Sequence, residues 1–171
     1  MSAEESVIGG RVKLENNRVT VRLERVFDHS PDTVWDMLTE SALLARWLAP
    51  GTVDAREGGR VQLDFGNSGM PVDSNVTACR PGKLLRYSWS SGDCPERPLT
   101  WALSREGSST RLCLSLELPD DELVPIACAG WDAHLEMLGA ALEGISIHFP
   151  ADRFRAARAH FEQLVREQIA A

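Results

Sequence analysis

The groups in this chain best placed to do chemistry are polar side chains set on otherwise apolar faces. His134 lies in Leu123–Ile145 (LVPIACAGWDAHLEMLGAALEGI), one helical turn after Trp131. A histidine there can take up a proton or accept a hydrogen bond from a ligand. The favoured alternative is a neutral core imidazole satisfied by one partner. Tyr87 is the only tyrosine, and its hydroxyl either orients a ligand or belongs to an ordinary cross-strand aromatic. His134 and Tyr87 are therefore the two candidate catalytic groups. Arg25 shares a strand face with Val21 and Leu23, where it could hold a carboxylate ligand or pair with a buried acid. The expectation is instead that it snorkels to the sheet edge. Asp36 and Asp64 read as solvated.

Other chemistries find no support. Ser88, Ser90 and Ser91 sit at polar strand ends without a base at visible spacing. Gly9-Gly10 and Gly58-Gly59 are turns, because neither opens a helix after a strand as a phosphate loop would. Cys79, Cys94, Cys113 and Cys128 are scattered singly, so free thiols are expected and no zinc or redox site. Four histidines without paired ligand spacing give no metal site, and no cofactor is implied.

The elements that must position these residues are legible in the periodicity. Arg11–Leu14 and Arg18–Phe27 read as strands around an Asn16-Asn17 turn. Ser30 and Pro31 begin a short helix bearing Val34, Trp35 and Leu38, and a second runs from about Ser41 to Trp47 before Pro50-Gly51. From Thr52 to Leu118, apolar residues alternate with polar ones over six strands joined by short turns. The turns include Gly58-Gly59, Asn67-Ser68-Gly69 with Met70-Pro71, Pro81-Gly82, the loop Ser91–Arg97 and Gly107-Ser108-Ser109. The product is an antiparallel meander with one wet side.

Leu123–Ile145 then carries Trp131, Leu135, Leu138 and Leu142 on one helical stripe, widened by His134, Met137 and Ala141. Asp132, Glu136, Gly139 and Glu143 read as its outer edge. So broad an apolar face must lie across a sheet. After a link at Ile145–Phe149, Pro150-Ala151-Asp152 starts another helix, with Asp152 as a candidate cap. Phe154, Ala157, Phe161, Leu164, Val165 and Ile169 form its apolar stripe, and Arg153, Arg155, Arg158, Glu162, Arg166 and Glu167 read as outward. This helix either folds back on the sheet's outer edge, the preferred reading, or pairs with a second copy in a homodimer.

Composition bounds the setting. The 171 residues suit one domain, and 43% hydrophobic with 25% charged residues is ordinary for a globular protein. A net charge of -7 argues against a nucleic-acid partner and against docking on anionic membranes. No stretch approaches the roughly 20 apolar residues of a membrane span. The N-terminal MSAEESVIGGRVKLENN lacks the pattern of a signal peptide, so a cytoplasmic location is expected.

Strand, two short helices, a run of strands and a long closing helix is the order of a helix-grip fold. On these residues the chain resembles the START-like or SRPBCC superfamily, and within it the domain related to activators of the heat-shock-protein-90 ATPase. The resemblance rests on Val26-Phe27, Ser30–Trp35, Leu43–Pro50, Gly58-Gly59 with Phe65, and Pro81–Leu84 leading to Trp89. It continues through Leu99–Leu103, Thr110–Leu112, and Gly130-Trp131 with Leu135 and Leu138. It implies an α+β helix-grip fold: a curved antiparallel sheet of about six or seven strands wrapped around the closing helix. Boundaries follow at 1–17 (extension), 18–145 (core domain) and 146–171 (appended amphipathic helix).

The resemblance also implies a mostly apolar cavity between sheet and helix but no universal catalytic motif. Residues facing such a cavity would be Trp47, Phe65, Tyr87, Trp89, Trp101 and Leu114 from below. From above come Trp131, His134, Leu135 and Leu138. Three readings stand. The favoured one is a binding module for a small hydrophobic or aromatic molecule, of the kind that includes lipid carriers. The second is an enzyme of the cyclase, dehydratase or hydrolase kind using the same cavity. The third is a chaperone-associated interaction domain with a filled core.

Overall fold

The computed structural model describes residues 8–66, 71–92 and 96–170. The turn expected at Asn67–Met70 and the thiol of Cys94 lie outside the described residues. Strand β1 (Arg11–Glu15) and β2 (Arg18–Phe27) form a hairpin whose Asn16 and Asn17 both take positive φ, the geometry of a tight two-residue turn. Helices α1 (Pro31–Thr39) and α2 (Ser41–Trp47) follow. The Ser30 hydroxyl accepts from the Thr33 backbone N–H and Pro31 occupies the first turn, so the start is capped as its sequence requires.

The meander comprises β3 (Gly51–Val53), β4 (Arg60–Leu63), β5 (Val72–Asn75), β6 (Ala78–Arg80), β7 (Leu84–Ser88), β8 (Pro98–Glu106) and β9 (Ser109–Pro119). The larger sheet has the order β1-β2-β9-β8-β7-β6, and β3-β4-β5 form a smaller one. All the ladder pairings are antiparallel. The segment Val72–Arg80, which the turns at Met70-Pro71 and Pro81-Gly82 bound as one of the six expected strands, divides at Val76-Thr77. Its first half pairs with β4 and its second with β7. A strand that changes partner partway turns a corner. Backbone bonds from Asp73 to Ser90 and from Thr77 to Arg86 carry the surface across that corner. At the β3–β4 hairpin a Cβ on Gly59 would stand 2.0 Å from the Asp54 carbonyl, so only glycine fits there.

Alternation fills the concave side. Register sets Leu23, Leu114, Trp101 and Leu85 in one row across four strands, and Val21, Leu116, Leu99 and Tyr87 in the next. All eight are buried. Helix α3 (Val124–Leu142) lies over these rows with Trp131, Leu135 and Leu138 inward. Helix α4 (Ala151–Ala170) packs on α3 and on β1, the edge strand, burying Ala157 and Phe161. Gly10 admits Phe161, since a Cβ there would come within 2.9 Å of its ring. The tail thus docks on its own chain, which is the preferred of the two sequence readings.

Three expectations fail together, for one reason. Asp132 was placed on the outer edge of α3 but is fully buried. Arg153 was read as outward and Arg25 as snorkelling, yet both side chains are 12% exposed and aimed at Asp132. Arg153 forms a fork on the carboxylate, with Nε 2.8 Å from Oδ2 and Nη2 3.2 Å from Oδ1. Arg25 Nη2 donates to Oδ1 at 2.5 Å, and Glu136 flanks both guanidiniums at 3.7 and 3.4 Å. Helix α4 covers a face that α3 alone would leave wet, and the charges on that face pair as they are buried.

Removing one member of such a group strands the others without water, which typically costs about 3–5 kcal/mol. Asp132→Asn is therefore expected to lower unfolding free energy by about that amount in urea titration. Arg153→Met, which leaves the Arg25 pair intact, is expected to cost less while raising amide hydrogen exchange in α4 before that in β8 and β9. Uniform exchange behaviour in both regions would contradict the assigned role.

Candidate functional site

A pocket of about 390 Å³ opens at one end of the sheet, beneath the first half of α3. Its helical wall is Ile126, Ala127, Gly130, Trp131 and His134, which share one face of α3. Strand residues Leu116 and Leu118 form the floor, and Leu48, Phe65, Trp89, Arg97 and Pro98 complete the rim. Space exists here because the helix presents small residues. A Cβ on Gly130 would meet no atom within 4 Å. A more open depression of about 480 Å³ lies between α1–α2 and β3. It has Asp36, Glu40 and Asp54 on its walls and no comparable apolar floor.

Of the ten residues expected to face a cavity, Phe65, Trp89, Trp131 and His134 line this pocket. Tyr87, Trp101, Leu114, Leu135, Leu138 and Trp47 are buried in the filled core beside it. Trp47, expected to face the cavity, donates its indole N–H to the Met37 carbonyl at 2.8 Å and is 1% exposed. The residue after it, Leu48, reaches the pocket instead. Core and pocket are joined by edge-to-face rings: Trp47 on Trp101, Trp101 on Trp131, Trp131 on Trp89 and Trp89 on Phe65. Centroid spacings of 4.7 to 5.9 Å are those of favourable aromatic pairs, each adding about 0.5–1.5 kcal/mol beyond area burial. The pocket wall is therefore anchored to the core.

The polar groups are few. His134 Nδ1 lies 2.8 Å from the Gly130 carbonyl, one turn back. A carbonyl only accepts, so Nδ1 carries the proton and Nε2 is left as an acceptor. Burial pushes the His134 imidazole below the ordinary histidine value, and the bond to Gly130 offsets this in part. Phe149, from the link before α4, packs edge-to-face with the ring, centroids 5.8 Å apart. Tyr87 is remote in role: its oxygen accepts from the Trp101 indole at 3.3 Å, and burial pushes its hydroxyl up to about 12. Burial thus holds it as the neutral phenol near neutral pH. Asp36 and Asp64 are exposed, as expected. Among the described residues no cluster of histidine, cysteine or carboxylate side chains could hold a metal.

Sequence reasoning missed Leu48, Arg97, Pro98, Leu118, Ile126, Ala127 and Gly130. The spacing of Ala127, Gly130, Trp131 and His134 was a usable signal, since small residues on a buried helix face leave room. Arg97 sits in an irregular segment and had none.

The lowered His134 pKa has a definite sign for stability. Protonation is disfavoured in the folded state, so the unfolded chain binds the proton first. Stability from this group is intact above the ordinary histidine range and falls as pH drops from about 6.5 toward the folded value. Expected are an imidazole NMR titration midpoint below that of a free histidine, and a shallower acid-side stability loss in His134→Gln. A midpoint at or above the ordinary value would overturn the burial argument.

Comparison with known proteins agrees with this architecture. The family described as "Activator of Hsp90 ATPase homolog 1-like protein" matches residues 28–143. A search of curated proteins found no match. Among solved structures, CalU16 from Micromonospora echinospora is similar at 21% identity and a TM-score of 0.76, over 92% of this chain and 96% of that one. EF2215 from Enterococcus faecalis, described as a conserved protein of unknown function, is similar at 20% identity and TM-score 0.78, over 94% and 92%. MLL2253 from Mesorhizobium loti is 25% identical with a TM-score of 0.66, over 75% and 99%. The match to CalU16 leaves too little of the chain uncovered to omit the whole of the 20-residue α4. Among the described residues no helix is long and apolar enough to cross a membrane. With the family match spanning most of the chain and the helix-grip fold in place, the chain belongs to the Activator of Hsp90 ATPase homolog 1-like family.

Proposed function

We propose that this protein is a binding module that holds a small hydrophobic or aromatic molecule in the pocket beneath α3. The carrying observation is the 390 Å³ space itself, walled by Phe65, Trp89, Trp131 and aliphatic side chains, with Arg97 and His134 as its converging polar groups. Its volume lies in the range of about 300–1,000 Å³ typical of small-molecule sites, and the mixture of walls is that of such sites. Membership of a family whose fold encloses space between sheet and helix supports the reading without naming a ligand. Residues 18–145 carry the pocket in this reading. The appended segment 146–171 braces it from outside, through Arg153 on Asp132 and Phe149 on His134.

Gly130 supplies a test that separates binding from folding. Leucine there has room for its Cβ and no backbone strain, and would project into the pocket. Replacing a mid-helix glycine should also stabilise α3, by roughly 0.5–1 kcal/mol. Gly130→Leu is expected to raise or preserve the melting temperature while abolishing quenching of tryptophan fluorescence by naphthalene, which the wild-type protein should show. Failure of the wild-type protein to bind naphthalene, or undiminished binding by the variant, would remove the proposal.

A further inference from the structure

Among the described residues Arg97 is the one permanently charged side chain lining the pocket. Its backbone is held on both sides: its N–H donates to the Ser88 hydroxyl at 2.9 Å and its carbonyl accepts from the Trp89 N–H at 2.8 Å. The side chain therefore starts from a fixed backbone position paired with that of Trp89. Many of the other arginines are matched to carboxylates: Arg25, Arg56, Arg60, Arg86, Arg111 and Arg153 each form an ion pair. Arg97 is half-buried, and among the described residues no carboxylate pairs with it. Asp121 lines the small recess that Arg97 also borders, without forming such a pair. A guanidinium at an apolar wall presents a planar fork of donors, which matches a carboxylate in two parallel bonds.

The pocket's other polar group does not compete. His134 is neutral near pH 7, held below its ordinary value by burial, and contributes an acceptor rather than a charge. Across a protein of net charge -7, an anionic ligand meets a repulsive background. The local cation is what would make the pocket receptive.

Resting on the binding reading above, we infer that the pocket takes an aromatic carboxylate, with its ring system against Trp89 and Trp131 and its carboxylate on the Arg97 guanidinium. The two tryptophan rings stand edge-to-face with centroids 4.7 Å apart, so the ligand ring lies against their exposed faces rather than between stacked planes.

The experiment compares 2-naphthoate with 2-naphthamide, a neutral ligand of nearly the same shape, by calorimetry on the wild-type protein, Arg97→Gln and Arg97→Lys. Charge-assisted hydrogen bonds predict that wild type prefers the carboxylate by about ten- to a hundredfold. Arg97→Gln should abolish that preference, weakening naphthoate about ten- to a hundredfold more than naphthamide. Arg97→Lys, which keeps the charge but loses the fork, should retain part of it. Equal affinities in the wild-type protein, or equal weakening of both ligands by Arg97→Gln, would overturn the inference and leave the binding reading standing. Binding of neither ligand by a folded wild-type protein would overturn both.

Discussion

A carboxylate cut off from water must be neutralised where it lies, and Asp132 is neutralised from two directions. Arg25 reaches it from β2 and Arg153 from α4, while Asp132 itself belongs to α3. One side chain thereby fixes the relation of sheet, closing helix and appended helix. Hydrophobic packing alone sets no rotation of α4, because its stripe, with Phe161 and Ala157 buried, could slide along an apolar neighbour. The fork of Arg153 on two carboxylate oxygens defines both position and rotation. Once α4 is placed, the link before it is placed as well. Phe149 then rests on His134, so the outer wall of the pocket depends on a charge cluster on the neighbouring face of α3.

The cluster's four charges sum to zero when Glu136 is included, which is why such a group can be buried at all. Its contribution is better understood as specificity than as net stability, since desolvating the ions consumes much of what their attraction returns. Stability comes from the rows of strand side chains and the run of edge-to-face rings beneath α3. Those rings also limit the cavity. Trp47, Trp101 and Tyr87 fill the space where a wider pocket would reach, and only where α3 presents Ala127 and Gly130 does packing leave room. The protein thus combines a filled core at the α1–α2 end with an open pocket near the start of the helix.

Much of this was legible in the sequence. Alternation in β2, β7, β8 and β9 gave the inward faces residue by residue, and the caps at Ser30 and Pro31 gave the start of α1. The helix-grip order followed, and with it the family. The pocket was legible only in part, because inward-facing does not distinguish a residue touching a void from one touching another side chain. Trp89 and Trp101 look alike in period-2 text, yet one lines the pocket and the other is sealed behind it. Asp132 and Arg153 were misread for a different reason. Helical periodicity marks a charged residue as outward unless something is known to cover it, and the cover here is a second helix from later in the chain. Arg25 offered the one hint, a charge on a strand face that was otherwise apolar.

The state of His134 bears on what the pocket does with a bound molecule. A general base works best when its pKa lies near the working pH, and imidazoles used this way commonly have a carboxylate on the far nitrogen to stabilise the charge that forms. His134 has only a neutral carbonyl there, and the rings of Trp131 and Phe149 help to bury it. Burial disfavours the imidazolium by more than the Gly130 bond favours it, which leaves the neutral ring with Nε2 as an acceptor. The remaining candidate proton donor, Tyr87, is locked in the core with its hydroxyl raised to about 12. What the geometry provides is therefore an acceptor, an arginine and an apolar wall. In the proposed binding reading that combination would select a ligand by shape and charge, with no group in the pocket needing to change protonation state.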